Sequence, residues 1–145
     1  MVRHELRAVS SPIVRKNKAD LIQKAYKRVH RARALGFNIE AVAILESLIT
    51  DRLESMIAKS RDSQIQIGNL GPAVNESLKL GHISEDLAIG IKAWSSKRAK
   101  VVHEMVKISV VVDATWLERM KFAREVAAEG EAIFAEVSKL AKKIK

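Results

Sequence analysis

Residues 39–59 read IEAVAILESLITDRLESMIAK, a stretch with no glycine or proline anywhere inside it. Val42, Leu45, Leu48, Ile49, Leu53, Met56 and Ile57 recur with the helical period and form one broad apolar face. The spacing therefore predicts a helix over Ile39–Lys59, apolar enough to be the central helix of a core. Glu46, Thr50 and Glu54 stand four apart and form a polar ridge, expected to face solvent. A chain organised around such a helix is expected to be all-α, an up-and-down bundle of four main helices plus one short helix.

The flanking segments fit that plan. Upstream, Gly36 stops a helix predicted from Asn17 to about Leu35, and Asn38 is placed to cap its successor, with Glu40 in the first turn. In the upstream helix Leu21, Ile22, Ala25, Val29 and Ala32 form the expected packing face, opposite Lys24, Lys27, Arg28 and Arg31. Residues 1–16 contain Pro12 and no sustained period, so they are read as an N-terminal arm and 17–145 as a single helical domain. Downstream, the polar stretch from Ser60 to Leu70 reads as irregular, and Gly71-Pro72 opens the short helix, which ends at Gly81. Ser84 caps the next helix ahead of Glu85 and Asp86; Ser95-Ser96 weakens it and places a kink near Arg98. Ile108–Val112 fits a buried helix end and an extended linker equally well, with incidental strand pairing the only sheet expected. Asp113 is placed to cap a final helix from Ala114 to about Lys143 that contains Trp116 and Leu117. Gly130 interrupts that helix, which points to a close helix contact or a bend.

Only 4% of the 145 residues are aromatic against 48% hydrophobic, so the core must be built from Ala, Val, Ile and Leu. The absence of cysteine removes disulfides, thiolate catalysis and cysteine-based zinc sites. No secretory leader and no apolar run of membrane-spanning length is found, so the expectation is a cytoplasmic protein without a membrane partner. Formal net charge is +9, and from Arg15 to Arg33 eight cations are opposed only by Asp20. Such a concentration attracts polyanions through counterion release, and it also suits a merely solvated helix face. Lys24, Lys27, Arg28 and Arg31 are the candidate RNA-binding residues.

The segment Arg98-Ala99-Lys100-Val101-Val102-His103 pairs a permanent cation with a titratable imidazole. An arginine can stabilise charge developing on a phosphorane, and a histidine can move a proton at the same phosphate. On a continuous helix, positions five apart lie about 140° apart around the axis, so one chain alone makes a poor pair without a break, a long arginine reach or a second subunit. The residue types equally allow a structural reading, in which Arg98 pairs with a neighbouring carboxylate and His103 fills a hydrogen-bonded position. His4, His30 and His82 lie apart from His103, no metal-ligand spacing occurs, and neither a metal nor another cofactor is expected.

The order of helix, Leu80-Gly81-His82-Ile83 turn, helix, and Arg98 to His103 resembles the HEPN superfamily over about Ala41 to Val106, and Glu46 ahead of Leu48 and Asp51 is similar to the family's middle helix. The resemblance implies an all-α bundle whose homodimer brings two Arg/His pairs into one cleft for metal-independent cleavage of RNA. On that reading His103 is the general acid or base, Arg98 holds the scissile phosphate, and Glu46 and Ser96 support them. The reaction requires RNA, whose internal 2′-hydroxyl is the nucleophile. Ala99 follows Arg98 where active members often carry asparagine or another polar residue, and Met105 stands where one toxin branch carries a tyrosine. The reading is thus an endoribonuclease, of toxin or antiphage type, with an antitoxin or regulatory protein as a further partner. The resemblance also extends to the mannitol-operon repressor family around the Leu-Gly-x-Ile turn, which implies the alternative of a non-catalytic regulatory or RNA/protein-binding module.

Overall fold

Two glycine stops set the helix boundaries. Gly36 and Gly81 adopt positive φ (82° and 77°), a region that costs glycine nothing, and each turn closes on the helix before it. Phe37 N–H donates to Ala32 O at 2.7 Å, and His82 N–H donates to Ser77 O at 2.9 Å. The computed structural model describes residues 4–6, 12–61, 64–66, 68–106 and 114–144. Five helices make up nearly all of it: α1 (Pro12–Ala34), α2 (Asn38–Arg61), α3 (Leu70–Lys79), α4 (Glu85–His103) and α5 (Trp116–Lys143). The chain is all-α in class.

α2 is the central helix, packed against α1, α3, α4 and α5. Val42, Leu45, Ile49, Leu53, Met56 and Ile57 are all fully buried in it. That centrality corrects the polar ridge: with neighbours on several sides little solvent face remains, so Thr50 is buried and donates to Glu46 O at 2.8 Å, while Glu46 turns toward α4.

Several boundaries also move. α1 begins at Pro12, ahead of the expected Asn17, because proline's fixed φ and missing N–H suit the first helical position. Asn38 is the first residue of α2 and gives its side-chain N–H to Gly36 O (3.4 Å) instead of capping the helix. α5 is capped by Thr115, whose hydroxyl accepts from Glu118 N–H at 3.2 Å and donates to the Glu118 carboxylate at 3.1 Å. Asp113 and Ile108–Val112 lie outside the described residues. Ser84 caps α4 as expected, accepting from Leu87 N–H at 3.1 Å. Sheet occurs elsewhere than expected: β1 (His4–Leu6) pairs antiparallel with β2 (Gln64–Gln66), Glu5 opposite Ile65. Part of the N-terminal arm therefore orders against the stretch that reads as irregular in sequence.

α5 lies on α2 and α4. At its contact with α4, Trp94 is fully buried and donates its indole N–H to Val126 O at 2.8 Å. Gly130 lies directly against that ring; a Cβ there would stand 2.6 Å from Trp94 Cζ2. The interrupting glycine thus marks close helix contact.

Candidate functional site

α4 runs unbroken from Glu85 to His103, so the kink expected at Ser95-Ser96 is absent. The Ser96 hydroxyl bonds back to Lys92 O at 3.3 Å, satisfying itself within the helix. Continuity sends Arg98 and His103 to different sides, about 140° apart. Arg98 belongs to the inward row Leu87, Ile91, Trp94, Arg98, Val101, in which every other member is buried. Its guanidinium meets Glu46 on α2, Nη1 to Oε2 at 2.7 Å, with side-chain exposures of only 20% and 28%. Its Nε–H is buried and has no hydrogen-bond acceptor. A half-buried cation on the core-facing row needs a counter-charge, and Glu46 supplies it.

His103 belongs to the opposite, exposed row, with Ile89, Ala93, Ser96 and Lys100. Ser96, Lys97, Ala99, Lys100, His103 and Glu104 join Phe122 of α5 around an open depression of about 640 Å³. Lys97 bridges to Glu129 of α5 at 3.0 Å, whereas Lys100 and His103 have no hydrogen-bond or ion-pair partner among the described residues. The Glu104 Oε2 beside them is buried and likewise without a hydrogen bond. The candidate residues therefore fall into two groups: Arg98 with Glu46 inside the bundle, and His103 with Ser96 at the surface.

Arg119, which sequence reading passed over, holds the chain that follows α4, next to the depression residue Glu104. Its Nη1 donates to Glu104 O at 2.6 Å and Met105 O at 3.3 Å, and its Nε to Ala114 O at 2.8 Å, tying the end of α4 to the approach to α5. Arginine near a capped helix start gives no sequence signal of such a role, because the acceptors are backbone carbonyls from another element. Val106, Trp116 and Leu117 in the same part of the chain are exposed.

The α1 cations divide as well. Lys24 pairs with Asp20 at 3.0 Å and Arg28 with Glu40 at 2.6 Å, both on the surface, while Lys27 and Arg31 are exposed and unpaired among the described residues. Exposed pairs of this kind contribute little and yield to a phosphate at small cost. At the margin of this face, Arg33 forms a close ion pair with Glu131 of α5, and His30 Nδ1 lies 3.2 Å from the same carboxylate. On the far side of the α2–α3 region, Ser60 Oγ and His82 Nε2 are 2.6 Å apart, and burial lowers the His82 pKa below its usual 6.5.

Among the described residues no three His, Cys, Asp or Glu side chains gather as metal ligands, and no helix is long and apolar enough to cross a membrane. Comparison of the chain with protein-family models, with curated proteins and with solved structures finds no match.

Proposed function

We propose that this chain is an HEPN-like RNA-binding module that engages RNA through the outward row of α4 and the cations of α1, with Arg98 serving the fold. One observation carries the reading: Arg98 sits on the core-facing row against Glu46, while Lys100 and His103 stand unpaired among the described residues at an open depression on the other side of the same helix. Unpaired surface cations release counterions when they meet phosphates, which suits a polyanion of either strand form. RNA is preferred over DNA on the HEPN resemblance, and a regulatory role of the mannitol-repressor kind is compatible with it.

A second reading is favoured by the exposure of His103, which leaves its ring open to a ligand. In it the chain is a metal-independent endoribonuclease acting as a homodimer, in which Arg98 of the other copy leaves Glu46 to reach the cleft. His103 would move the proton and Arg98 of the other copy would hold the phosphate, the 2′-hydroxyl attacking to leave a 2′,3′-cyclic phosphate and a free 5′-hydroxyl. Incubating the chain with total RNA in EDTA, then resolving both complexes and fragments, separates the two. Retarded but intact RNA is the result expected for the binding module. Fragments with cyclic phosphate ends that vanish in His103→Ala would replace it with the nuclease, and neither complex nor fragments at low salt would overturn both.

A further inference from the structure

His30 has a setting unlike that of the cations around it. It lies on α1, three residues after Lys27 and directly before Arg31, and both of these are exposed and unpaired among the described residues. Its ring is braced on two sides. Tyr26, one turn earlier, meets it edge to face with centroids 4.5 Å apart and planes at 83°, and Tyr26 in turn rests on Phe134 of α5 at 5.2 Å. On the other side Nδ1 lies 3.2 Å from Glu131 Oε1, close enough for electrostatic attraction though without hydrogen-bond alignment. Glu131 is itself held by Arg33 and is only 17% exposed, so the support is firm.

Despite this bracing, 56% of the His30 side chain remains open to solvent. Surface histidines are ordinarily free to sample rotamers, and ordering one costs entropy that must be recovered in binding. Here Tyr26 and Glu131 restrict the space open to the ring. A fixed, exposed aromatic plate flanked by free cations on one helix is the arrangement that holds single-stranded nucleic acid, bases stacking on the ring while cations track the backbone. Duplex bases are already stacked on one another and offer such a plate no free face.

We infer that His30 is a stacking platform for an unpaired nucleobase of single-stranded RNA, positioned by Tyr26 and Glu131, with Lys27 and Arg31 on the adjoining phosphates. This rests on the RNA-binding reading above and specifies the form of RNA and the manner of contact. It assigns to His30 a role distinct from the point charge of Lys27, because stacking requires a planar group.

The test is fluorescence anisotropy with the full chain, using a labelled single-stranded oligouridylate and a labelled RNA duplex of equal length. The His30→Phe variant, which has a ring and no charge, tests the ring apart from charge. His30→Ala is expected to weaken single-strand binding roughly tenfold, the loss typical of one stacked base, with duplex binding unchanged. His30→Phe is expected to restore the affinity. The salt dependence of His30→Ala should match the wild type, since a stacked base releases no counterions. Circular dichroism on both variants confirms the fold. If His30→Phe binds as weakly as His30→Ala, if the loss is equal on duplex, or if His30→Ala binds like the wild type, the inference is overturned while the RNA-binding reading stands. A wild type that binds neither probe at low salt overturns both.

Discussion

Arg98 shows how one residue's row decides its role. Its sequence neighbourhood points to phosphate chemistry, yet the spacing of Leu87, Ile91, Trp94 and Val101 puts it on the buried stripe, where Glu46 is its counter-charge. The HEPN resemblance named Glu46 with Arg98, but their inward ion pair was not legible, because a kink was expected near Arg98 and Glu46 comes from a helix more than forty residues earlier whose orientation only packing fixes. Glu46→Gln should therefore destabilise the chain by about 1–3 kcal/mol, since it leaves a half-buried cation without its charge. Glu46→Leu combined with Arg98→Met should recover most of that loss in chemical denaturation, as apolar pairs replace buried ion pairs well. If Arg98→Met alone has no effect on stability, the residue is not structural. His82 offers a second single-residue outcome. Burial favours its neutral ring, so as pH falls through the ordinary value of 6.5 the unfolded chain takes up the proton before the folded one. Stability present above that pH should decline below it until the folded ring also protonates, and His82→Gln should show a shallower acid decline in thermal melts than the wild type.

At the scale of elements, the contact between α4 and α5 is the most constrained. Adding a methyl group at Gly130 gains helix propensity of about 1 kcal/mol. It also drives a Cβ into the fully buried Trp94 ring at 2.6 Å, and that ring is anchored by its bond to Val126 O. Overpacking against a rigid aromatic outweighs the propensity, so Gly130→Ala should lose about 1–2 kcal/mol net. A gain in stability in the same denaturation experiment would show that α5 stands further from α4 than described. The helices themselves were largely legible. Val29 and Ala32 bury as their period requires, Ser84 caps α4, and Gly81 ends the turn before it. Periodicity overreached where a helix ends or lies at the edge: Leu21, Trp116 and Leu117 keep the right spacing but are exposed among the described residues. The pairing of His4–Leu6 with Gln64–Gln66 gave no signal, because strands of three residues carry no alternation to read. Of the candidate site, Ser96 and His103 share one face because α4 runs unbroken where a kink was expected, and Phe122 and the Arg119 clamp come from another helix and gave no sequence signal.

For the molecule as a whole, charge is distributed around α5. Glu129 holds Lys97 of α4 and Glu131 holds Arg33 of α1, and two residues along a helix are about 200° apart, so the α4 and α1 cations flank α5 on opposite sides. Between them α5 exposes Ala128, Ala132 and Ala135 beside the charged Lys121, Arg124, Glu125, Glu136 and Lys139. A net charge of +9 on so short a chain adds long-range attraction for any polyanion, and local contacts decide where it settles. The most direct test of the RNA-binding account is the affinity for single-stranded RNA over a series of salt concentrations, comparing the wild type with Lys27→Ala, Arg31→Ala and Lys100→Ala. Each variant should bind more weakly, and each lost phosphate contact should reduce the steepness of log K against log salt by roughly 0.7. Affinity and slope unchanged in all three would show that these cations only solvate the fold, contradicting the account.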